Sequence, residues 1–296
     1  MLLVALTRTL ATLISLVMRT IWLNGEWLPE TEAKVSIFDR GLLFSQSVYE
    51  VVPVLDGRLA NYPYHMARLE RSLKLAGIAD VADWRAVFEQ AVARNGLVEG
   101  RVYLQVTGGV AADRDFLSPI SAPQPTRIVF TQEARLVDNS QAETGLKIIL
   151  RPDMRWQVRA AKTTQLLYAV LVKEEARAAG VDDAWLIEGG VITEGSSANA
   201  HIIDARGVLV SHPVDHGVLP GVTRICVLEI AREMGLAVEE RPFTPDELFA
   251  AREAFLSAAG SLVMPVVEVD GRAIGDGQPG AVTRAIRDAY IARLTA

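Results

Sequence analysis

The sequence predicts a protein of the α/β or α+β class with two domains, and three observations support this prediction. The chain has 296 residues, about twice the roughly 150 residues of a typical domain. Strand-like and helix-like segments are mixed in both halves rather than separated. Between the halves, from about residue 134 to 144, the sequence ARLVDNSQAET is polar and lacks hydrophobic periodicity. We therefore expect a smaller domain at 20–135, a linker at 136–143 and a larger domain at 144–296.

The composition is that of a globular protein, with 50% apolar and 22% charged residues. Lysine and arginine total 30 against 36 aspartate and glutamate residues, so the net charge of −6 provides no positive field for a nucleic acid. Cys226 is the single cysteine, which excludes an intrachain disulfide and a cysteine-based zinc site. We expect a cytoplasmic protein without a nucleic-acid partner.

Residues 1–19 form an apolar N-terminal extension or result from a mis-called start. Arg8 interrupts the apolar run, and the uncharged part, Thr9 to Met18, is about half the length of a membrane-spanning helix. Because no small-residue cleavage site follows, a signal peptide fits poorly. The extension could be an untranslated segment with Met18 as the true start, an extra apolar helix or a targeting segment. We expect no membrane partner.

The elements of the first half begin with a hairpin turned by Asn24-Gly25, the strongest short-range signal for this motif. The run Ser47 to Leu55 predicts a strand that turns at Asp56-Gly57. A helical spacing of apolar residues follows from Tyr64 to Ala76. Two further strands are predicted at Arg101 to Thr107 and Thr126 to Thr131.

The second half alternates strands and helices. Its predicted strands are Leu146 to Leu150, a hairpin over Ala184 to Ile192, Ala200 to Ile203, Glu253 to Ser257 and a pair around Asp270-Gly271. Its predicted helices are Thr164 to Ala179, Val222 to Met234, Pro245 to Leu248 and Gly280 to Leu294. In the first of these helices we expect the apolar positions Leu166, Leu167, Val170 and Leu171 to face a core.

Two charged residues occur where a chemical site could form. Lys162 precedes a helix that Thr163 or Thr164 can cap, near backbone N–H groups that disfavour its protonation. Glu194 ends a strand and opens the small-residue turn Gly195 to Asn199. Taken singly, Lys162 is better explained as a solvated surface lysine and Glu194 as a turn-capping glutamate.

The segment Leu219 to Arg224 has the features of a phosphate site, because Pro220 and Gly221 precede a helix whose first N–H groups have no partner in the helix. Arg68 could provide a charged second contact to the same phosphate. An ordinary helix cap and an ordinary helix arginine would look similar. No metal site is expected, since His212 and His216 are separated by the helix breaker Pro213.

The order of these motifs is more informative than any one of them. A VYEVV strand, an HMARL helix, a lysine before a helix, TEGSSAN, LPGVTR and a small-residue loop that ends in MPV follow one another between Ile21 and Tyr290. In this arrangement the chain resembles the class IV pyridoxal-phosphate aminotransferases, within them the D-amino acid aminotransferases. The resemblance implies the two-domain fold type IV architecture, pyridoxal 5'-phosphate as cofactor and a homodimer.

The resemblance also assigns roles by matching position. Lys162 would form the Schiff base, and Glu194 would pair with the pyridine nitrogen. The remaining cofactor contacts would come from Arg68, Thr223, the Val222 backbone, Ser197, Leu219, Ala259 and Tyr49. Substrate would be bound by Tyr49, Val51 and Arg114.

Three positions depart from the family pattern, one of which is Ser45 to Ser47, where relatives often have Gly-Asp-Gly. The D-amino acid enzymes resemble one another in an arginine-x-histidine pair on the substrate loop, whereas this loop has Arg114 between Asp113 and Asp115 and no such histidine. Ala259 stands where the family usually offers a threonine to the phosphate, so backbone groups or Ser261 would have to replace that hydroxyl.

The expected activity is transfer of an amino group from a D-amino acid such as D-alanine to 2-oxoglutarate or pyruvate, in ping-pong order. An (R)-selective amine transaminase, a branched-chain aminotransferase and an aminodeoxychorismate lyase are the alternatives within the resemblance. A cofactor-carrying relative without catalytic activity is the remaining alternative.

Overall fold

The computed structural model of the chain describes residues 18–80, 82–118, 123–215 and 217–295. The expectations for residues 1–17 lie outside this range. No helix in the described part is both long enough and apolar enough to span a bilayer.

Residues before 134 build an antiparallel sheet of six strands in the order β2-β1-β6-β5-β3-β4. The strands are β1 Thr20–Leu23, β2 Glu26–Pro29, β3 Ser47–Leu55, β4 Arg58–Leu59, β5 Gly100–Thr107 and β6 Arg127–Glu133. The helices are α1 Arg40–Phe44, α2 Tyr62–Ala76 and α3 Trp84–Arg94.

The two faces of this sheet differ because side chains alternate along a strand. On β5, Val102, Leu104 and Val106 are buried in a core with residues of α2 and α3. Arg101 and Tyr103 point to the opposite face, where Tyr103 stacks on Tyr49 and Phe130 at centroid distances of 5.6 and 4.6 Å. One face of the sheet therefore forms the core, and the other presents polar and aromatic side chains.

Residues 146–273 build a mixed sheet of nine strands in the order β12-β11-β10-β13-β14-β7-β8-β9, with β15 paired to β14. The strands are β7 Leu146–Pro152, β8 Asp183–Glu188, β9 Val191–Gly195, β10 Asn199–Ile203, β11 Leu209–Ser211, β12 Val238–Glu240, β13 Glu253–Ala258, β14 Leu262–Val269 and β15 Arg272–Ala273. The helices are α4 Ser140–Thr144, α5 Leu167–Ala178, α6 Val222–Glu233, α7 Pro245–Phe249 and α8 Ala281–Thr295.

The predicted elements are confirmed with shifts of a few residues at their ends, and both predicted hairpins form. Three helices were not predicted: α1, α3 and α4, of which α4 occupies part of the polar segment taken as a linker. The first and last of these have five residues each, too few for a hydrophobic period to be recognised.

The prediction for the buried face of α5 is wrong. Leu167, Val170 and Leu171 are 72%, 53% and 50% exposed, whereas Ala169, Val172 and Ala176 are the buried residues of this helix. The buried side packs on β7 and β8 through small side chains, which let the helix approach the sheet closely. Apolar spacing identified the more apolar face of the helix but could not tell which face the sheet covers.

The final helix depends on a carboxylate from a neighbouring strand. Glu253 of β13 accepts hydrogen bonds from the backbone N–H groups of Val282 and Thr283 at 3.0 and 2.7 Å. The Thr283 hydroxyl also donates to this carboxylate at 2.7 Å. A negative charge at a helix N-terminus is favourable because the first N–H groups lack partners within the helix.

We expect Glu253→Ala to lower the free energy of unfolding by about 1–2 kcal/mol, because these N–H groups lose their acceptor. Glu89→Ala removes a carboxylate from an exposed ion pair on α3 and serves as control, with an expected change below about 0.5 kcal/mol. Urea unfolding measures both values. Equal effects of the two variants would contradict the capping role.

Candidate functional site

A cavity of about 500 Å³ lies between the two sheets and is lined by residues of both. It brings together most of the residues that the sequence motifs had indicated. The predicted residues that line it are Tyr49, Val51, Arg68, Lys162, Glu194, Ser197, Leu219, Val222, Thr223 and Ala259. Arg114 is not among the lining residues.

Lys162 is held at the junction of the two sheets by its backbone. Its carbonyl oxygen accepts a hydrogen bond from the Tyr49 N–H at 3.0 Å, and its N–H donates to the Ser72 hydroxyl at 3.1 Å. The side-chain Nζ lies 4.2 Å from the centroid of the Tyr49 ring, a cation–π contact. The lysine is therefore a cavity residue, and the interpretation as a solvated surface lysine is wrong.

Glu194 is a buried carboxylate at the end of β9. Its Oε1 accepts a hydrogen bond from Arg155 Nη1 at 2.5 Å, and its Oε2 accepts from Asn199 Nδ2 and the Leu219 N–H at 3.0 and 3.1 Å. Burial raises the pKa of the Glu194 carboxyl, and the Arg155 guanidinium works against that rise. The carboxylate is thus fixed in position inside the cavity wall.

Arg155 is a site residue that the sequence did not reveal. Besides Glu194 it binds Asp153, with Nη2 and Oδ2 2.6 Å apart. Thr193 donates to the same Asp153 oxygen at 2.8 Å, so the carboxylate that holds the arginine is itself fixed. Burial works to lower the pKa of Arg155, but the two carboxylates raise it overall. An aspartate two residues before an arginine after a strand is too common a pattern to have indicated this role.

The start of α6 provides the expected cradle for an anion. No side chain caps this helix, and the N–H groups of Val222 and Thr223 donate to no acceptor among the described residues. A Cβ at Gly221 would lie 1.9 Å from Asn199 Oδ1, so glycine is required for the close approach of this turn. Tyr290 donates to the Thr223 hydroxyl at 3.3 Å and fixes it. Helix N-termini of this kind bind phosphate.

Arg68 lies beside the cradle as part of a buried ion pair. Its Nε and Nη2 each donate to Glu50 at 2.8 Å, and its Nη1 donates to the Pro220 carbonyl at 3.2 Å. Burial alone would raise the pKa of Glu50, but Arg68 and then His65 lower it to about 2. Nη2 also lies 3.5 Å from His65 Nδ1, so the second N–H of Nη1 is the one without a partner among the described residues.

The cavity fits a ligand with a phosphate, a basic ring nitrogen and a carbonyl carbon. The N–H cradle and Arg68 match the phosphate, the Glu194 carboxylate matches a protonated ring nitrogen, and the Lys162 amine matches the carbonyl. Pyridoxal 5'-phosphate carries these three groups. Ala259 lies at the edge of the same cavity and offers a methyl group instead of a hydroxyl. Its backbone N–H donates to no acceptor among the described residues.

Arg114 lies on an exposed loop. Its guanidinium packs over the rings of Phe44 and Phe116 at 5.3 and 5.1 Å from their centroids. The loop is fixed by the buried Arg40, which donates to the carbonyl groups of Asp115 and Phe116 at 2.7 and 2.9 Å. The prediction that Arg114 binds a substrate carboxylate stays a prediction.

Comparison with known proteins gives consistent results. The family model described as amino-transferase class IV matches residues 47–269. D-alanine aminotransferase from Bacillus licheniformis is 35% identical over 269 residues, covering 90% of this chain and 94% of the relative. D-alanine aminotransferase from Staphylococcus aureus (strain N315) is 34% identical, covering 92% and 97%.

Solved structures show the same architecture. The branched-chain amino acid aminotransferase of Escherichia coli superposes with a TM-score of 0.84 at 26% identity, covering 94% of this chain and 95% of the other. A T.th. branched-chain amino acid aminotransferase with pyridoxamine 5'-phosphate gives a TM-score of 0.85 at 27% identity, covering 94% of both chains. These matches extend over both sheets and the cavity between them, and the chain belongs to the class IV aminotransferase family.

Proposed function

We propose that this aminotransferase uses pyridoxal 5'-phosphate to move the amino group of a D-amino acid such as D-alanine to 2-oxoglutarate or pyruvate. The observation that carries the proposal is the cavity itself, which assembles a lysine amine, a buried carboxylate and an N–H cradle. The preference for D-amino acids rests on the D-alanine aminotransferases that are 32–35% identical to this chain.

When bound, the cofactor supplies an electron sink that stabilises negative charge at the α-carbon of the substrate. Lys162 would be the covalent attachment point; once the substrate amine has displaced it, its free Nζ would take the α-proton of the donor and, in the second half-reaction, deliver a proton to the α-carbon of the acceptor. Glu194, held by Arg155, would keep positive charge at the ring nitrogen. Arg68, Thr223 and the backbone N–H of Val222 would hold the phosphate.

The other lining residues shape the space around the ring and the substrate. Ser197 and Leu219 line the cavity next to Glu194, and Ala259 lines it at the turn between β13 and β14. Tyr49 and Val51 form the wall from the six-stranded sheet. The amino group moves in two half-reactions, which is the ping-pong order of the family.

A branched-chain aminotransferase is the second candidate, because structures of such enzymes superpose with TM-scores of 0.81 to 0.85. The two candidates use the same cofactor residues and differ in the enantiomer of the donor. They are therefore distinguished by substrate and not by the cofactor site.

We propose that the two sheets act as separate domains at 20–135 and 144–296, with the cavity between them and the linker at 136–143. The location of the protein in the cytoplasm stays a prediction.

The first experiment adds D-alanine or L-leucine separately to the purified enzyme with 2-oxoglutarate and measures the oxo acid formed. We expect turnover with D-alanine, and a loss of roughly 10²- to 10⁴-fold or more in Lys162→Ala, because the proton-transferring amine is removed. Lys147→Ala, a lysine in an exposed ion pair, is the control. Turnover with L-leucine alone would favour the branched-chain activity, and an active Lys162→Ala would contradict the mechanism.

We also propose a homodimer that buries the apolar face of α5. Leu167 and Leu171 of this face are 72% and 50% exposed in the single chain, and Met154 nearby in sequence is 72% exposed. Exposed apolar residues clustered on one face are typical of protein interfaces.

The double variant Leu167→Glu/Leu171→Glu should be monomeric in sedimentation velocity, because charged side chains would have to be buried in the interface. Leu75→Glu changes an exposed leucine of α2 and should leave the dimer intact. A dimer that survives the double variant would place the interface elsewhere.

The buried Glu50 should make the stability of the phosphate-binding region dependent on pH. The pKa of Glu50 is about 2 in the folded protein and 4.5 without the fold, so its contribution is complete above 4.5 and is lost as the pH falls towards 2. Glu50→Gln should therefore lower the free energy of unfolding at pH 7 by about 3 kcal/mol, since Arg68 loses its buried partner.

Urea unfolding of Glu50→Gln and wild type at several pH values tests this expectation. The difference in the free energy of unfolding between wild type and Glu50→Gln should become smaller below pH 4.5. Glu89→Gln on the surface of α3 should show no such narrowing. A difference that is constant with pH would mean that the ion pair does not carry the effect.

A further inference from the structure

Among the described residues, the cations that line the cavity are neutralised by neighbouring carboxylates, with two exceptions. The neutralised pairs are Arg68 with Glu50, Arg155 with Asp153 and Glu194, Arg159 with Asp153 and Glu188, and Lys173 with Asp183. Lys162 is the first exception, and its role as the cofactor lysine accounts for it. Arg101 is the second exception.

Arg101 is a half-buried cavity residue whose charge is not balanced by a neighbour. Its guanidinium forms no hydrogen bond or ion pair with the described residues, and its buried Nε is unsatisfied. Burial lowers the pKa of Arg101, although arginine keeps its charge in proteins. A cation placed in a cavity wall without an acceptor is unfavourable unless a ligand supplies the counter-charge.

The position of Arg101 shows where this counter-charge would lie. The residue pairs with Pro53 in the register of β5 and β3, on the face that presents Tyr103 to the cavity side. Its side chain reaches the turn between β13 and β14: a Cβ at Gly260 would lie 3.3 Å from Nη1 and 3.5 Å from Nε. The guanidinium therefore spans from the six-stranded sheet to the nine-stranded sheet.

The turn at this point adds further donors. The backbone N–H groups of Ala259 and Gly260 donate to no acceptor among the described residues. Because Gly260 has no side chain, the turn and the guanidinium can approach the same ligand group. The charged guanidinium of Arg101 and the backbone N–H groups of this turn thus lie together at the edge of the cavity.

The cofactor phosphate has its own donors in Arg68 and the start of α6, so the remaining anion is on the substrate. Amino acids and 2-oxo acids share one anionic group, the α-carboxylate. We propose that Arg101, with the Gly260 N–H, binds the α-carboxylate of the donor and of the acceptor. This inference rests on the proposed aminotransferase function and assigns to Arg101 a role that the sequence motifs had suggested for Arg114.

A carboxylate also matches the geometry of arginine better than that of lysine. The planar guanidinium can donate two parallel N–H groups to the two carboxylate oxygens, which a lysine ammonium cannot do. Arg101→Lys should therefore recover only part of the binding that Arg101→Ala loses. A role of Arg101 in packing alone would predict no dependence on the charge of the substrate.

The kinetic experiment compares wild type, Arg101→Ala and Arg101→Lys with D-alanine and with (R)-1-phenylethylamine, which has no carboxylate. For Arg101→Ala we expect the KM for D-alanine to rise about 10- to 100-fold, the range for loss of a charge-assisted hydrogen bond. Conversion of the amine, where the wild type shows it, should be unchanged. Arg58→Ala, an exposed arginine of β4, is the control.

A binding experiment independent of turnover uses isothermal titration calorimetry of the holoenzyme with butanoate and with its uncharged analogue butanamide. Wild type should bind butanoate at least about tenfold more tightly than Arg101→Ala, and butanamide should not distinguish them. Cofactor absorbance and thermal unfolding of each variant establish that the site is loaded and folded.

Three results would overturn the inference. These are unchanged butanoate affinity in Arg101→Ala, an unchanged KM for D-alanine, and a loss that appears only with D-glutamate, which would place Arg101 at a side-chain carboxylate. If wild type acts on L-leucine and not on D-alanine, the proposed donor is wrong, but the butanoate titration still decides the role of Arg101.

Discussion

A short backbone pairing between β3 and the segment around Lys162 positions the rest of the site. Tyr49 donates its N–H to the Lys162 carbonyl, and Thr164 donates to the Ser47 carbonyl at 3.2 Å. The lysine lies in the chain between β7 and α5 of the nine-stranded sheet, yet its backbone is bonded to the six-stranded sheet. Because backbone groups in a buried position need partners, this pairing fixes both the lysine and the distance between the sheets.

Around this junction, buried ion pairs lie in the wall of the cavity. Glu50 and Arg68 neutralise each other below the phosphate cradle, and Arg155 holds Glu194 at the opposite side. Burial opposes the charge of every member of these pairs, and the hydrogen bonds within each pair favour the ionised forms. Such pairs hold side chains in one orientation. A site that binds a cofactor at both its phosphate and its ring nitrogen requires this rigidity.

The departures from the family pattern concern both ligands: Ala259 lies where the family usually offers a hydroxyl to the phosphate, and the loop of Arg114 lacks the histidine of the arginine-x-histidine pair. The phosphate cradle, Lys162 and Glu194 are all at the cavity, whereas Arg114 lies on an exposed loop that packs on Phe44 and Phe116. Arg101 provides a guanidinium in the cavity wall that no described residue pairs with. A family can keep the chemistry of its cofactor and move the group that recognises the substrate, because specificity depends on residues outside the cofactor contacts.

The sequence by itself determined most of the elements and the motif residues that line the cavity, because turn residues, hydrophobic periods and motif order are local properties of the chain. It could not determine which face of α5 is covered, since Leu167 and Ala169 lie on the same apolar helix and only the packing on β7 and β8 decides between them. Nor could it indicate Arg101 or Arg155. Arg155 lies beside Glu194, which is far away in the sequence, whereas no carboxylate of the described residues lies beside Arg101, and only the tertiary structure decides both.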